Sequence, residues 1–575
     1  MLNKLLPENS KRRIFAKKIY NKYFAKYSEE ERIYKKWIEK NEPNKNELEK
    51  QRNEKFKINP KISIVVPVYN TPEDFFQELV ESLQNQTYPN WELCLADGSP
   101  ESLKFMQEYP KKDDRIKYKI IGENKGISGN TNEALSLVTG DYIGLLDHDD
   151  LLPAFSLYEV VKVINENPKV EFIYTDEDKL ETAKGPRYGV FFKPDFSPYT
   201  LNSANYICHF SILKKELMDK LQGFRSKYDG SQDFDIVARA SEETKNIVHI
   251  PKVLYHWRAH KNSTASNSDS KPYAFEVGKQ VIKDHIKRSL DTDVEVTDGL
   301  TAGSYEVKYE VKGMPKVSII LDAIGLENSQ IEELLKKIRV SSYKNYEIIL
   351  LTNKNESELK NVADIDNIKV AFENESNSKA YNNLKDKIDG EYFIIFDGNL
   401  KNIAVEDYIQ DLVGICQDKT VGIVGTKLYN SKNLVEHAGI VIGMNGVGDF
   451  VYKGALKDIG TYMQRLLIIH NVSAVLLKYS MIDKKVWESL GGFSVDTSLK
   501  SIENDIDYCL KLLKDEKQVV INPIVSFEIK ELDYPSLTED ESKNFMEKWS
   551  EEYKCGDRYF SPNLSKNSTG ICIGD

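Results

Sequence analysis

The stretch that decides the fold is Gly140-Asp141-Tyr142-Ile143-Gly144-Leu145-Leu146-Asp147-His148-Asp149-Asp150. Its apolar part, from Tyr142 to Leu146, is typical of a buried strand in a parallel sheet. Three carboxylates follow at the carboxyl end of that strand, where ligands bind in open α/β sheets. Carboxylates this close together raise one another's pKa unless a cation neutralises them, and Mg²⁺ or Mn²⁺ prefers such oxygen ligands. The stretch therefore predicts a metal-binding turn, with a solvated acidic turn as the simpler alternative.

The chain around this stretch alternates strands and helices. β-branched and apolar runs predict strands at 62–68, 91–96, 116–121 and 142–146, and helical patterns lie between them. A βαβαβαβ order is typical of a parallel, doubly wound sheet. The first predicted strand is not followed by G-x-G-x-x-G, so an ordinary dinucleotide site is not expected.

Length and composition predict a globular protein with more than one domain. The chain has 575 residues, which is too long for a single core, and no apolar run approaches the length of a membrane span. A net charge of -11 argues against a general nucleic-acid binder. The six cysteines form no C-x-x-C pair and no signal peptide is recognisable, so we expect reduced thiols and a cytoplasmic location.

Residues 1–26 differ in charge from the rest of the chain. They contain eight lysines and arginines against one acid, Glu8, with apolar residues interleaved at roughly helical spacing. This pattern predicts a helix, and two roles stay open for it. It could lie as a peripheral anchor on an anionic membrane surface, or it could pack its apolar stripe on the first domain.

Eight short motifs follow one another in an order that resembles the family 2 glycosyltransferases. They are Val66-Pro67-Val68-Tyr69-Asn70, Ala96-Asp97-Gly98-Ser99, Asn124-x-Gly126-x-Ser128, Leu146-Asp147-His148-Asp149-Asp150, Tyr174-Thr175-Asp176-Glu177-Asp178-Lys179, Phe192-Lys193-Pro194-Asp195, Gly230-Ser231-Gln232-Asp233-Phe234-Asp235, and the run from His249 to His260 that contains Trp257-Arg258-x-His260. The chain is most similar to the tandem-domain members associated with O-antigen, rhamnan and other bacterial surface polysaccharides. The resemblance implies a GT-A fold and the transfer of a sugar, with inversion, from a nucleotide-diphosphate donor.

The resemblance also implies the residues that hold the donor. Nucleotide-sugar binding is expected at Pro67, Tyr69, Asp97, Asp147 and Arg258. A carboxylate suits the position of Asp97 because a pyrimidine base presents an N3–H donor. The DXD pair falls on Asp147 and Asp149, and with His260 it is expected to bind Mn²⁺ or Mg²⁺ on the diphosphate.

The same resemblance places the catalytic base at Asp233. A carboxylate at this position accepts the proton of the acceptor hydroxyl as the anomeric centre is attacked. Further donor or acceptor contacts are expected at Asp176, Asp178, Gln232, Asp235 and Trp257. The simpler alternatives are a helix cap for Asp233 and Asp235, and ordinary loop acids at Asp176 and Asp178.

After Gly313-Met314-Pro315 the pattern begins again, which predicts a duplicated domain. Lys316 to Leu321 repeats Lys61 to Val66, and Tyr343 to Ile348 repeats Tyr88 to Leu93. The functional positions differ in the second copy, where Asn353 is expected opposite Asp97 and Asp397-Gly398-Asn399-Leu400 replaces the acidic turn. Asp505 keeps the base-like acid, but no Trp-Arg-x-His follows. We therefore expect the second copy to be structural or acceptor-binding.

The predicted organisation is two tandem GT-A (Rossmann-like, doubly wound, mostly parallel) domains with helical ends. The expected boundaries are a helical N-terminal segment 1–59, a catalytic domain 60–312, a degenerate domain 313–535 and a helical C-terminal tail 536–575. The expected function is an inverting, metal-dependent hexosyltransferase that uses a UDP- or dTDP-sugar and extends a lipid-linked or free bacterial glycan at the cytoplasmic face. Three alternatives remain: a bifunctional polymerase with both domains active, a nucleotidyltransferase, and a non-catalytic glycan-binding protein.

Overall fold

The computed structural model describes residues 29–260, 272–355, 357–359, 368–496, 501–530, 532 and 537–574, and the basic segment 1–26 lies outside them. The strands of the first half are β1 (Ile62–Val68), β2 (Trp91–Asp97), β3 (Ile116–Ile120), β4 (Tyr142–Leu145), β5 (Phe172–Leu180), β6 (Arg187–Phe191), β7 (Ser211–Lys214), β8 (Ile247–Arg258), β9 (Val294–Asp298) and β10 (Tyr305–Tyr309). The helices are α1 (Glu29–Asn41), α2 (Lys45–Asn53), α3 (Glu73–Gln84), α4 (Tyr109–Lys112), α5 (Gly126–Leu135), α6 (Ser156–Glu166), α7 (Pro198–Leu201), α8 (Lys215–Leu221), α9 (Gln232–Glu243) and α10 (Pro272–Leu290).

The second half repeats this alternation of strands and helices. Its strands are β11 (Val317–Asp322), β12 (Tyr346–Thr352), β13 (Ile368–Phe372), β14 (Tyr392–Asp397), β15 (Leu400–Ile403), β16 (Val421–Tyr429), β17 (Val435–His437), β18 (Ile440–Ile442), β19 (Gly448–Phe450), β20 (His470–Asn471), β21 (Met481–Asp483) and β22 (Gln518–Ile529). Its helices are α11 (Asn328–Ile338), α12 (Ser378–Asn382), α13 (Tyr408–Cys416), α14 (Lys484–Ser489), α15 (Ile502–Lys514), α16 (Glu539–Lys548) and α17 (Ser550–Cys555).

The two halves form two large sheets with the same strand order at their centres. The first sheet runs β3-β2-β1-β4-β7-β5-β6, with β8 beside β5, and the second runs β13-β12-β11-β14-β21-β16-β22-β15. In each, the first strand pairs in parallel with its neighbours on both sides, while β7 and β21 enter antiparallel. The predicted fold class, two tandem and mostly parallel α/β domains, is confirmed.

Helices cover both faces of the first sheet, which explains why its central strands are apolar on both sides. Helix α3 buries Phe76, Leu79 and Leu83 in one hydrophobic cluster, which also contains Ile62 and Ile64 of β1. On the opposite face, helix α9 buries Ile236, Val237 and Ala240 in a second cluster that continues into the second sheet.

The two domains are joined by direct polar contacts as well as by this shared cluster. The Tyr199 hydroxyl donates to Asp418 at 2.9 Å, and the Tyr199 amide donates to Asn471 at 2.9 Å. The Tyr462 hydroxyl of the second domain donates to the Phe192 carbonyl at 3.0 Å. Within the part of the chain that the structure describes, no helix has both the length and the apolar character needed to cross a membrane.

Candidate active site

The strand-end residues of the first sheet meet at one edge because the three central strands are parallel and in register. Val68 at the end of β1 pairs with Asp97 at the end of β2, and Val65 pairs with Leu145 at the end of β4. Asp147 follows that last strand by two residues, so it lies at the same edge as Asp97. This is the edge where open α/β sheets bind ligands.

Asp97 is completely buried and its orientation is fixed by three donors. Its Oδ1 accepts from the Ser99 amide at 2.9 Å, and its Oδ2 accepts from the Leu103 amide at 3.1 Å and from the Tyr118 hydroxyl. Burial and the contact with Asp97 raise the pKa of Tyr118, so this phenol stays a donor. Oδ1 could accept one hydrogen bond more than the Ser99 amide supplies.

Pro67 and Tyr69 lie beside Asp97 at the end of β1. The Tyr69 side chain is 41% exposed, and the Pro67 carbonyl oxygen lies 3.4 Å from His148 Nδ1. Both residues therefore stand at the rim of the strand-end edge, next to the acidic turn.

Asp147, Asp150 and His209 form a cluster whose ligand atoms all lie within 4.8 Å of one another. Burial raises the pKa of Asp147, and the negative charges of Asp149 and Asp233 raise it further, while His209 opposes the rise. Burial and the neighbouring Asp149 and Asp147 also raise the pKa of Asp150 well above its ordinary value. Uncompensated acids of this kind are the donor set that a hard divalent cation stabilises.

His209 was not among the residues predicted from the sequence. Its ring stacks on Tyr255, with centroids 4.7 Å apart, and meets the Trp257 ring edge-on at 5.6 Å. It reaches Asp147 because Gly144 of β4 lets the segment before β7 approach closely: a Cβ at Gly144 would lie 2.8 Å from Phe210 Cζ. No local pattern marks His209, and only its place just before β7 could have suggested it.

The predicted metal residues Asp149 and His260 are in direct contact, with Asp149 Oδ2 and His260 Nε2 2.8 Å apart. Arg258 holds the same turn in place. Its Nε donates to the Asp149 carbonyl at 2.6 Å, and its backbone amide donates to the Asp150 side chain at 2.7 Å. The Arg258 side chain is 1% exposed, and its Nη2 lies 2.6 Å from Glu78 Oε2 in an ion pair without hydrogen-bond geometry. Arg258 thus positions the acidic turn in this structure.

Asp233 lies in the first turn of α9, on the side of the helix that faces the acidic turn. Its Oδ2 accepts from Asn205 Nδ2 at 3.0 Å. The neighbouring Gln232 uses its Oε1 to accept the Gly230 amide at 3.0 Å. Asp233 and Asp147 are close enough for the charge of the first to raise the pKa of the second.

Asp235, two residues further along α9, has different surroundings. It is 1% exposed, Arg239 Nε donates to its Oδ2 at 3.0 Å, and Arg225 binds the same carboxylate through Nε at 3.1 Å. These contacts turn Asp235 away from the acidic turn and into the packing between α9 and the loop before it.

Asp176 and Asp178, expected near the substrates, are fully buried and hold the terminal segments of the chain. Asp178 Oδ2 accepts from the Tyr34 hydroxyl of α1 at 2.5 Å, and Asp178 Oδ1 lies 2.6 Å from His256 Nδ1. Asp176 Oδ2 accepts from Asn563 Nδ2 of the C-terminal tail at 3.2 Å. We interpret both acids as positioning residues.

Trp257, also expected near the substrates, is half-buried beside the cluster. The Lys179 ammonium lies 4.9 Å from the centroid of its ring, and the His209 ring meets the same indole edge-on. Its indole therefore forms part of the wall behind His209.

The corresponding edge of the second domain carries a built-in cation. The two sheets can be superposed through equivalent strand pairs: Tyr142 of β4 pairs with Lys214 of β7, and Tyr392 of β14 pairs with Asp483 of β21. Lys214 therefore corresponds to Asp483. The residues five positions before these two, His209 and Lys478, correspond to each other in the same way. Lys478 Nζ lies 2.9 Å from Asp397, the counterpart of Asp147. Burial raises the pKa of Asp397, but the Lys478 ammonium and the hydrogen bonds from Tyr479, Lys478 and the Asn399 amide together lower it below its ordinary value.

One expected correspondence was shifted by a single residue. Ile62 pairs with Trp91 and Val317 pairs with Tyr346, so Asp97 corresponds to Thr352 and not to Asn353. Thr352 is fully buried, and its Oγ1 accepts the Lys354 amide at 3.2 Å, much as Asp97 accepts Ser99. The second domain still lacks the acid that would read the base, because Thr352, like Asn353, has no carboxylate.

Comparisons with known proteins agree with this architecture. The description "Glycosyl transferase family 2" matches residues 63–222, and "Glycosyltransferase like family 2" matches residues 315–529. Relatives include the "Uncharacterized protein y4gI" of Sinorhizobium fredii, 33% identical over 79% of this chain and 51% of its own, and the "O-antigen biosynthesis protein RfbC" of Myxococcus xanthus, 30% identical over 85% of this chain and 38% of its own. The chain thus spans about half or less of the length of these relatives. A solved structure of S. aureus TarS residues 1-349 is 18% identical, with a TM-score of 0.33 over 40% of this chain and 66% of that chain.

Fold and matches together define the class: each half of the chain is a domain of the GT-A type. The chain belongs to glycosyltransferase family 2, and it carries the family's domain twice in tandem.

Proposed function

We propose that the first domain transfers a sugar, with inversion, from a nucleotide-diphosphate sugar to a bacterial surface glycan. The observation that carries this proposal is the convergence of Asp97, Asp147, Asp149, Asp233 and His260 at the carboxyl edge of one sheet. These five side chains come from four different motifs along the chain, since Asp147 and Asp149 share one, and the fold gathers them at one edge of the sheet. A purely structural set of acids would be expected to carry its own counter-charges, as Asp235 does.

The donor's base would bind beside Asp97. Its carboxylate is held by Ser99, Leu103 and Tyr118, and this fixed geometry favours recognition of a base that presents one N–H group. A pyrimidine N3–H fits that requirement, so UDP- or dTDP-sugars are the donors we favour. Tyr69 and Pro67 at the rim would contact the ring.

The donor set fits a divalent cation, with Asp147, Asp149 and His260 as the residues that would hold Mn²⁺ or Mg²⁺. The His209 cluster offers further ligand atoms next to them, within the 4.8 Å span of the Asp147–Asp150–His209 group. When bound, such an ion would neutralise charge that develops on the leaving diphosphate. The chain's own contribution is the orientation of the acidic turn, which Arg258 fixes through the Asp149 carbonyl and Asp150.

Asp233 would accept the proton of the attacking acceptor hydroxyl. Asn205 engages Oδ2 of Asp233, so Oδ1 is the oxygen that we assign to the acceptor. A base on this side of the anomeric carbon, opposite the leaving diphosphate, leads to inversion. The RfbC relative is named for O-antigen biosynthesis, which supports a surface glycan, free or lipid-linked, as the acceptor.

The second domain, in this proposal, does not transfer sugar. Thr352 replaces the base-reading acid, Asn399 replaces a metal ligand, and Lys478 already neutralises Asp397. We further propose that the reaction takes place in the cytoplasm, with peripheral membrane contact through the basic segment 1–26.

The experiment that tests this function is release of nucleoside diphosphate, with Mn²⁺, across a panel of UDP-, dTDP- and GDP-sugars. The proposal expects one donor class to be turned over, and expects chelation of the metal to stop the reaction. Release of pyrophosphate would instead indicate a nucleotidyltransferase. Turnover that persists fully in EDTA would contradict the metal-dependent mechanism.

A further inference from the structure

The second domain has a cavity of about 740 Å³ at the edge that corresponds to the active site of the first. Its wall combines the strand-end residues Asp397 and Asn399 with the segment Leu476–Tyr479 and the first turns of α12 and α15. The duplicated fold has therefore kept an open site at this edge although the residues for donor binding have changed.

Charge at the base of this cavity is balanced within the protein. The Lys478 ammonium lies 2.9 Å from Asp397 and 3.7 Å from Asp322, and the Tyr381 hydroxyl donates to Asp322 at 2.6 Å. A divalent cation would have to displace this ammonium, so the site has no need of a metal. In the first domain the same place is held by His209, which leaves the acids to a cation.

The remaining lining does not suit an anion. Four acidic side chains (Glu375, Asp397, Asp496 and Asp505) line the cavity against two ammonium groups, Lys379 and Lys478, and the acids stay in excess when the buried Asp505 is protonated. Lys478 is already engaged by acids, which leaves the exposed Lys379 at the mouth. A nucleoside diphosphate without a metal would meet net negative charge here and would be repelled.

The neutral amide and hydroxyl groups of the lining can still form hydrogen bonds with a ligand. Asn504 donates through Nδ2 to Ser378 Oγ at 2.6 Å, while its buried Oδ1 has no hydrogen-bond partner among the described residues. A buried acceptor without a partner is costly, and a ligand hydroxyl bound in this cavity would supply the missing donor. Ser378, Ser494 and Asn399 add further hydroxyl and amide groups to the wall. Such groups recognise the hydroxyls of sugars.

We propose that this cavity binds a neutral segment of a glycan without any metal, with a sugar hydroxyl donating to Asn504 Oδ1. The proposal rests on the proposed function in one respect, since the bound glycan would be the acceptor that the first domain extends. In this proposal the second domain binds the acceptor. Its Lys478 ammonium takes the place that the metal ion would have in the first domain.

Binding of the full chain to an array of neutral and anionic bacterial polysaccharide fragments, in EDTA and without donor, tests the proposal. We expect EDTA-resistant binding of neutral fragments. Asn504→Leu should weaken that binding about tenfold, the loss expected for one buried hydrogen bond, and Ser378→Ala should weaken it in the same direction. The matched control Asn402→Leu, at an exposed position of β15 in the same sheet, should bind as the unmodified chain does.

The outcomes separate this proposal from the proposed function. No EDTA-resistant binding, or binding that both Asn504→Leu and Ser378→Ala leave unchanged, would overturn it. Loss of binding on Lys379→Ala alone would show an anionic ligand and would also overturn it. Because Lys379 and Ser378 lie at the cavity mouth, their variants remain informative if Asn504→Leu does not fold. Failure of sugar transfer appears only in the nucleoside diphosphate assay, which uses donor and metal.

Discussion

His260 Nε2 lies 2.8 Å from Asp149 Oδ2, although 111 residues separate the two along the chain. The contact joins the acidic turn after β4 to the end of β8, and Arg258 locks the two together from the buried side. Residues from two distant motifs therefore meet at the place where we propose that a metal binds. That arrangement is the basis for the first prediction.

Asp149→Asn should lower metal-dependent turnover of the donor by about a hundredfold or more, because an amide is a poor ligand for a hard cation. The fold should survive, since the substitution removes one of several mutually repelling acids. Nucleoside diphosphate release against Mn²⁺ concentration measures the effect, with Asp114→Asn, an exposed position, as control. Unchanged turnover with unchanged metal dependence would remove Asp149 from the site.

Asp233→Asn should lower transfer by about a hundredfold or more, the lower end for a positioned general base. Donor affinity should change little, because Asp233 acts on the acceptor hydroxyl. Steady-state transfer and donor titration, run side by side, separate the two effects. A collapse of donor affinity with normal turnover of bound donor would make Asp233 a binding residue.

Asp235→Asn should affect stability more than chemistry. Removing this carboxylate leaves Arg239, which is 7% exposed, without its buried counter-charge, and breaking such a pair costs about 3 kcal/mol. Urea unfolding of the first domain measures the loss, and Asp233→Asn two residues away serves as the control that should retain stability. If Asp235→Asn unfolds at the same urea concentration as the unmodified chain, the ion pairs of Asp235 with Arg225 and Arg239 contribute nothing to the free energy of unfolding.

Asp505→Asn should change how stability depends on pH. Burial raises the pKa of Asp505 to about 7 in the folded protein, far above its value in the unfolded chain. Between pH 4 and pH 7 the folded state therefore binds a proton that the unfolded state has lost, so this group makes stability fall as pH rises. Asp505→Asn should flatten that slope in urea unfolding of the second domain from pH 5 to pH 8. A slope identical to that of the unmodified chain would show that Asp505 is ionised when folded.

The sequence predicted the central strands well because their signal is local. The expected strand 62–68 is β1, and the expected strand 91–96 is β2 with Asp97 added. Of the helical patterns expected between the strands, the one between β2 and β3 was less reliable: the structure has a 3₁₀ turn at Lys104–Glu108 and then α4. Pro110 lacks the amide needed to continue a regular helix through this point.

The candidate site was predictable only in part, because its details depend on long-range contacts. Asp178 meets Tyr34 across 144 residues, and Asp176 meets Asn563 across 387. Nothing near either acid in the sequence indicates such a partner. His209 was missed for the same reason, since its role depends on how closely β7 approaches β4.

The most direct test of the central claim, that only the first domain binds and uses the donor, is the stoichiometry of nucleotide binding. Isothermal titration of the chain with the nucleoside diphosphate of the active donor, in the presence of Mn²⁺, should give one site per chain. That site should disappear in Asp149→Asn and persist in Asp505→Asn. Two sites per chain, or a site that Asp149→Asn leaves intact, would contradict the claim and favour two active domains.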